Sequence, residues 1–281
     1  MPMNPRLLVP RATFDPDAAA YLRAVEAADG QALEPPVKRA VEDFFRGTKA
    51  DGTFSAIKAA CLLCGARTLA GALVPLVGTA PTNVAGRGGR RPGSGNASKK
   101  DGFVEGDYTR GGATPGLKGD GTSYIDSGRS NNADAASDKH LAVYATNAST
   151  GVSEMWIGMT EGSYATRVFK QSNEVYFAYD GSTSAFPKPG PQPGLTGLVG
   201  LKRESSSSFS AYLDGTEVSK NEDVSSFGPY NHFVFAHNNA GVSATLISTS
   251  TFAYYSIGEA TDLALLDARV TALVTAIGAA V

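Results

Sequence analysis

Cys61 and Cys64, in the run AACLLCGA, are the first residues in this chain whose spacing could support chemistry. A C-x-x-C spacing serves redox pairs and half-sites for zinc. No second pair follows, and the three histidines, His140, His232 and His237, lie far along the chain. Together with Phe54 and Ile57, the cysteines fall at positions i, i+3, i+7 and i+10. That spacing predicts one face of a helix with both thiols in its core.

Enzyme constellations are scarce. The chain has no G-x-S-x-G elbow, H-E-x-x-H pair, Walker loop or dinucleotide fingerprint. Glycan cleavage needs two carboxylates a few ångströms apart. Asp126, Asp134, Asp138, Glu154 and Glu161 have the right type, but no spacing pairs them. The expectation is a protein with no catalytic residues. Sugar binding makes a different demand, an aromatic platform flanked by amides and acids. Trp156, Tyr164, Tyr179, Tyr230, Asn231, His237 and Asn238 supply those types. Trp156, between Met155 and Ile157, reads as core. Tyr230, Asn231, His237, Asn238 and Asn239 fall near predicted loop ends and are the candidate ligand contacts.

The elements that must position these residues are mostly strands. Leu198 to Val218 contains two extended runs that end at Asp214-Gly215, a pair suited to a tight hairpin turn. Phe209, Ala211 and Leu213 alternate with Ser208, Ser210 and Tyr212, so the first three should face a core. Similar short strands are read at 140–145, 155–159, 165–169, 174–179, 232–236 and 251–257. Eight or more short strands with turn signals between them imply a two-sheet sandwich, most plausibly a jelly roll, over residues 116–258.

Before this β domain, residues 1–13 read as a proline-punctuated arm. Residues 14–78 read as a helical module, with helices starting at Asp15-Pro16 and Pro35-Pro36, a third over 54–63 and a short fourth over 68–74. Residues 79–115 are rich in glycine, proline and arginine and read as a long loop, anchored by Phe103-Val104 and Tyr108. Residues 259–281 form a closing helix, with Leu263, Leu266, Val270, Leu273 and Ile277 as a narrow apolar seam. That seam could pack on its own subunit or meet copies of itself in an assembly. The fold class expected is therefore α+β: a small helical module, an antiparallel β-sandwich and a C-terminal helix.

Composition narrows the function classes. The chain has 281 residues and a net charge of −2. One basic cluster, at 87–91, sits in a glycine-rich loop, so a nucleic-acid partner is not expected. No apolar run reaches the roughly 20 residues of a membrane helix, and the N-terminus lacks the pattern of a secretory signal.

The order of AVEAADGQ, KADG, IKA, GARTL and ALVPL in the helical region resembles a module of tailed-bacteriophage structural proteins. GLKGDGTSYIDSG, AYLDG, FVFAHNNAG and the C-terminal run from YYSIGEATDL resemble the β domain and closing helix of the same family. Residues 86–102 are an apparent insertion. The resemblance implies a laminin-G or concanavalin-type jelly roll in a fibre or spike on a virion surface, synthesised in the host cytoplasm. It further implies other virion proteins as partners, a homo-oligomer with a trimer favoured, and attachment to host surface glycan. The rival readings are a connector or decoration protein without a ligand and a polysaccharide depolymerase. Calcium is common at the loop edges of such sandwiches and needs several hard oxygen ligands. Asn131, Asn132, Asp134 and Asp138 cluster in one loop and are the candidate ligands, and they serve equally as turn formers and helix caps.

Overall fold

The computed structural model describes residues 14–85, 102–150, 152–162, 164–171, 174–182, 195–224 and 228–281. The arm over 1–13 and the insertion over 86–101 lie outside the described residues, as do the side chains of Tyr164 and Tyr179.

Helix α1 (Pro16–Asp29) starts where the sequence indicates. The Asp15 side chain accepts from the backbone N–H groups of Asp17 and Ala18, and Gly30 ends the helix at φ 68°. Helix α2 (Pro35–Ala50) buries Val37, Val41, Phe44 and Phe45. Lys49 in its last turn reaches Asp15 and Asp17, each at 2.6 Å, and ties the two helices together.

The helix expected over 54–63 does not form. After a short 3-10 turn, β1 (Ile57–Leu62) is a strand. Ile57, Ala60 and Leu62 join the cluster under the helices, whereas Ala59, Cys61 and Leu63 join a second cluster on the other face. An interior strand buried on both faces shows no polar alternation, so its apolar positions also satisfy a helical spacing. Both cysteines are buried free thiols, and burial pushes each up to about 12. At neutral pH they stay protonated and unreactive.

A one-turn helix, α3 (Leu69–Ala72), follows, and among the described residues the elements from there to the last helix are strands apart from a 3-10 turn at Glu105–Asp107. The strands are β2 (Pro75–Val77), β3 (Thr82–Ala85), β4 (Tyr108–Thr109), β5 (Gly116–Lys118), β6 (Ser123–Ser130), β7 (Lys139–Asn147), β8 (Glu154–Glu161), β9 (Tyr164–Gln171) and β10 (Glu174–Ser182). They continue as β11 (Gly197–Arg203), β12 (Ser208–Leu213), β13 (Thr216–Asn221), β14 (Asn231–Val234), β15 (His237–Asn239), β16 (Ser243–Thr245) and β17 (Thr251–Gly258). Helix α4 (Leu263–Ala280) closes the chain.

The strands form two sheets. The first runs β13-β12-β11-β7-β17-β1-β2, with β5 and β4 branching from β17. The second runs β10-β9-β8-β14-β6-β3, with β15 and β16 beside β8. The β12–β13 hairpin turns at Asp214 and Gly215, with φ of 52° and 71°, the paired positive values of a type I′ turn. Phe209, Ala211 and Leu213 face the core between the sheets, as their alternation predicts. Tyr212 on the opposite side is buried too, and its hydroxyl donates to Asp267 of α4 at 2.9 Å.

The molecule is a β-sandwich with helices on one side only. One core lies between the sheets and contains Trp156, Val168, Val199, Phe235 and Phe252. The other lies between the first sheet and α1, α2 and α4. The seam of α4, namely Leu263, Leu266, Val270, Leu273 and Ile277, is fully buried in that second core. It packs on the chain's own α2 and β11, so these five residues are not free to meet another copy. By length and composition α4 could cross a membrane, with a mean hydropathy of 1.6, which the reading of the sequence had excluded. Here one side of it is spent on the first sheet and α2.

Candidate functional site

Among the described residues the helices cover only the first sheet, and no helix packs on the outer face of the second. No strand of the second sheet contributes to the helix-side core. Strand alternation decides which residues face outward. Ile125 and Val234 point into the inter-sheet core, so alternation turns Tyr124, Asp126 and Phe233 the other way, although the Tyr124 ring still packs against that core. Tyr124 and Phe233 are cross-strand neighbours whose ring centroids lie 4.5 Å apart, with planes inclined by 32°. They form a small aromatic platform in which Phe233 is only 9% exposed and Tyr124 is half-buried.

Polar groups border it. The Asn231 amide donates to Asp126 Oδ1 at 3.0 Å. On the other side of β14, Phe233 pairs with Gly158 of β8, and Gly158 pairs with Arg167 of β9. Directly opposed residues share a face, so the Arg167 and Phe233 side chains flank a position without a side chain of its own. Gly158 has φ 149°, and a Cβ there would come within 2.5 Å of Arg167 Cβ. Strand β9 therefore approaches closely at this point, filling the space that a side chain at 158 would take. The Arg167 guanidinium stacks 4.7 Å from the Phe169 ring centroid.

The five residues expected to contact ligand divide into two groups. Tyr230 and Asn231 are partly exposed at the start of β14, beside the platform. The Tyr230 ring packs over Gly241, where a Cβ would meet it at 3.0 Å. Asn238 is buried and its amide donates to the Asn231 carbonyl at 2.7 Å, while Gly241 N–H donates to its Oδ1 at 2.8 Å. It holds the rim rather than offering itself to solvent. His237 is 9% exposed, and its Nδ1 lies 3.1 Å from the Thr245 hydroxyl. Asn239 is exposed at the end of β15, next to Thr160. The expectation of a loop here fails, since 237–239 form a short strand parallel to β8.

The calcium candidates do not converge. Asp134 pairs with the Arg129 guanidinium, and Asp138 accepts from the Ala260 N–H at 2.8 Å. Asn132 accepts from the Ser130 hydroxyl at 2.9 Å, and the Asn131 carbonyl accepts from Lys139 at 2.6 Å. Among the described residues, no three His, Cys, Asp or Glu side chains gather as a metal site would require. The contacts of these four residues are those of turn formers, a role that their types also suit.

Of the acids considered for catalysis, Glu154 is deeply buried. It accepts from Trp156 Nε1 at 2.9 Å, from Thr249 N–H at 2.8 Å, and from the Ser250 hydroxyl. Burial favours its protonated form, but these donors prevail and hold it below the usual carboxylate range. Such a carboxylate fastens strands together. Trp156, as its sequence neighbours suggest, is entirely core. Reading the sequence missed Tyr124, Asp126 as a binding residue, Gly158, Arg167 and Phe233. Their convergence depends on cross-strand register, although the alternation in Tyr124-Ile125-Asp126 was a visible sign of two differing faces.

No family model matches the chain, and no curated protein does. Among solved structures, the chain is similar to the CBM40 of Ruminococcus gnavus IT-sialidase, at 8% identity and a TM-score of 0.35 over 47% of this chain and 81% of that one. It is also similar to the botulinum neurotoxin serotype D binding domain, at 8% identity and 0.47 over 77% and 51%. The NanB sialidase of Streptococcus pneumoniae matches at 12% and 0.32, over 46% of this chain and only 23% of that enzyme. These are partial likenesses, and nothing about this chain's ligand follows from them.

Proposed function

We propose that this chain is a non-enzymatic attachment protein of a phage or phage-like particle, and that the bare face of its second sheet binds host surface glycan. The observation that carries the glycan reading is the Tyr124–Phe233 platform bordered by Asp126 and Asn231 on a face that the helices leave open. Aromatic rings cover the apolar face of a sugar, and neighbouring amides and acids take its hydroxyls. The particle context is supported by the ordered sequence elements of the helical region and the closing helix. In this reading the helix-covered side faces the particle, sister subunits give a homo-oligomer, and repeated weak sites gain avidity by joint display.

Assembly through α4 would use its outward residues, such as Leu265, Ala268 and Ala272, since its seam is occupied. The experiment is incubation of the purified protein with host surface polysaccharide. Saturable binding without shortening of the polymer supports the attachment role, and shortened chains would replace it with a depolymerase. Absence of both would leave a connector. Imaging of intact particles tests location, and a subunit found in the particle interior would overturn the surface assignment.

A further inference from the structure

We propose that Arg167 and His237 form an anion-receiving subsite at the edge of this face, and that it takes the carboxylate of an acidic sugar residue. The inference rests on reading the face as a glycan site and specifies which sugars it prefers. Its basis is a pair of donors left without acceptors. Several other cations have partners: Arg129 pairs with Asp134, Arg110 with Glu34, and Lys139 with the Asn131 carbonyl. Arg167 has no such partner. Among the described residues no carboxylate pairs with it, its Nε is buried without an acceptor, and its guanidinium lies over the Phe169 ring. His237 is nine-tenths buried, and its Nε2 also lacks a partner.

Asn238 and Arg167 pair with the adjacent β8 residues Met159 and Gly158 from opposite sides, so His237 and Arg167 flank the same stretch of that strand, and the Arg167 charge acts on the imidazole. Burial first, and that charge second, depress His237 to about 4, so it is neutral at physiological pH. When the Thr245 hydroxyl donates to Nδ1, Nε2 carries the ring proton and becomes a donor. A guanidinium and a neutral N–H beside each other form a receptor for a planar carboxylate, with the guanidinium fork setting its orientation. A buried donor without an acceptor is costly, and a ligand carboxylate would relieve two at once. Gly158 lies between Arg167 and Phe233 in the sheet, so a sugar ring on the aromatic platform could direct its carboxylate toward the cation across a position with no side chain.

The test measures binding to a panel of uronate- and sialate-containing polysaccharides, each alongside its carboxyl-reduced form. Wild-type protein is expected to prefer at least one acidic polymer over its reduced counterpart by about 10- to 100-fold. Arg167→Met should abolish that preference while retaining the weaker binding to the neutral form. His237→Gln should weaken the preference severalfold, and Arg167→Lys should restore part of it. Near-ultraviolet circular dichroism confirms that each variant is folded, and Arg167→Lys keeps the aliphatic stem if Arg167→Met does not fold. A preference that survives in Arg167→Met overturns the subsite. So does wild-type protein that binds neutral polymers with no preference, in which case the glycan reading stands alone. Binding to neither form would overturn both.

Discussion

The two sheets of this sandwich share one interior and have opposite exteriors. The outer face of the first sheet presents Ala142, Tyr144, Leu198, Tyr212, Ala253 and Tyr254 to three helices. That of the second presents an aromatic pair, an acid, an amide and an unmatched arginine. An apolar exterior has to be covered, and α1, α2 and α4 cover it. A mixed exterior has less need of such a cover. Covering one face therefore serves stability, and in the proposed reading the other face serves recognition.

Acid should separate the two faces most strongly. His140 lies in β7 of the first sheet, whereas His232 and His237 lie in the second. Burial depresses His140 to about 4, and burial with nearby Lys139 and Arg129 depresses His232 to about 3. An unfolded histidine takes up its proton near pH 6.5, so between that pH and the folded value the unfolded chain binds more protons. Stability is then complete above about pH 6.5 and falls as pH drops. Each histidine removes about 1.4 kcal/mol per pH unit, or several kcal/mol in all by pH 4. Denaturant melts across this range check the slope. Hydrogen exchange should show the second sheet, with two of the three histidines, loosening first.

Substitutions sharpen the contrast. Phe45→Ala empties a site between α1, α2 and the 3-10 turn, where the ring contacts Tyr21, Phe44 and Phe54. It should cost about 3–5 kcal/mol in chemical denaturation and leave glycan affinity unchanged in the protein that remains folded. Phe233→Ala should do the reverse. It should weaken glycan binding by about tenfold or more, read by calorimetry, for a smaller loss of stability. The smallest effect expected is at the start of α4, where Asp262 accepts from the N–H groups of Ala264 and Leu265. Asp262→Ala should cost about 1 kcal/mol and leave binding unaltered.

Much of the fold was legible in local chemistry. Asp15-Pro16 and Asp214-Gly215 act through nearest neighbours, and both do what their residue types dictate. The seam of α4 was legible as a pattern, but not its partner, because its spacing fits any apolar surface. The strand over 57–62 was misread because a segment buried on both faces lacks the polar alternation that marks an exposed sheet. The candidate site was legible only at its rim, in Tyr230 and Asn231. Its centre joins residues from β6, β8, β9 and β14, separated by up to about a hundred positions in the chain and brought together by register alone. The unmatched state of Arg167 is likewise visible only once its neighbours in space are known.

The account's central claim is that the uncovered sheet is the binding face. Hydrogen–deuterium exchange of the folded protein, with and without saturating host surface polysaccharide, tests it directly. The account predicts added protection in β6, β8, β9 and β14, with exchange in α1, α2 and α4 unchanged. Protection confined to the helices, or none on the second sheet under conditions where binding is measured independently, would contradict it.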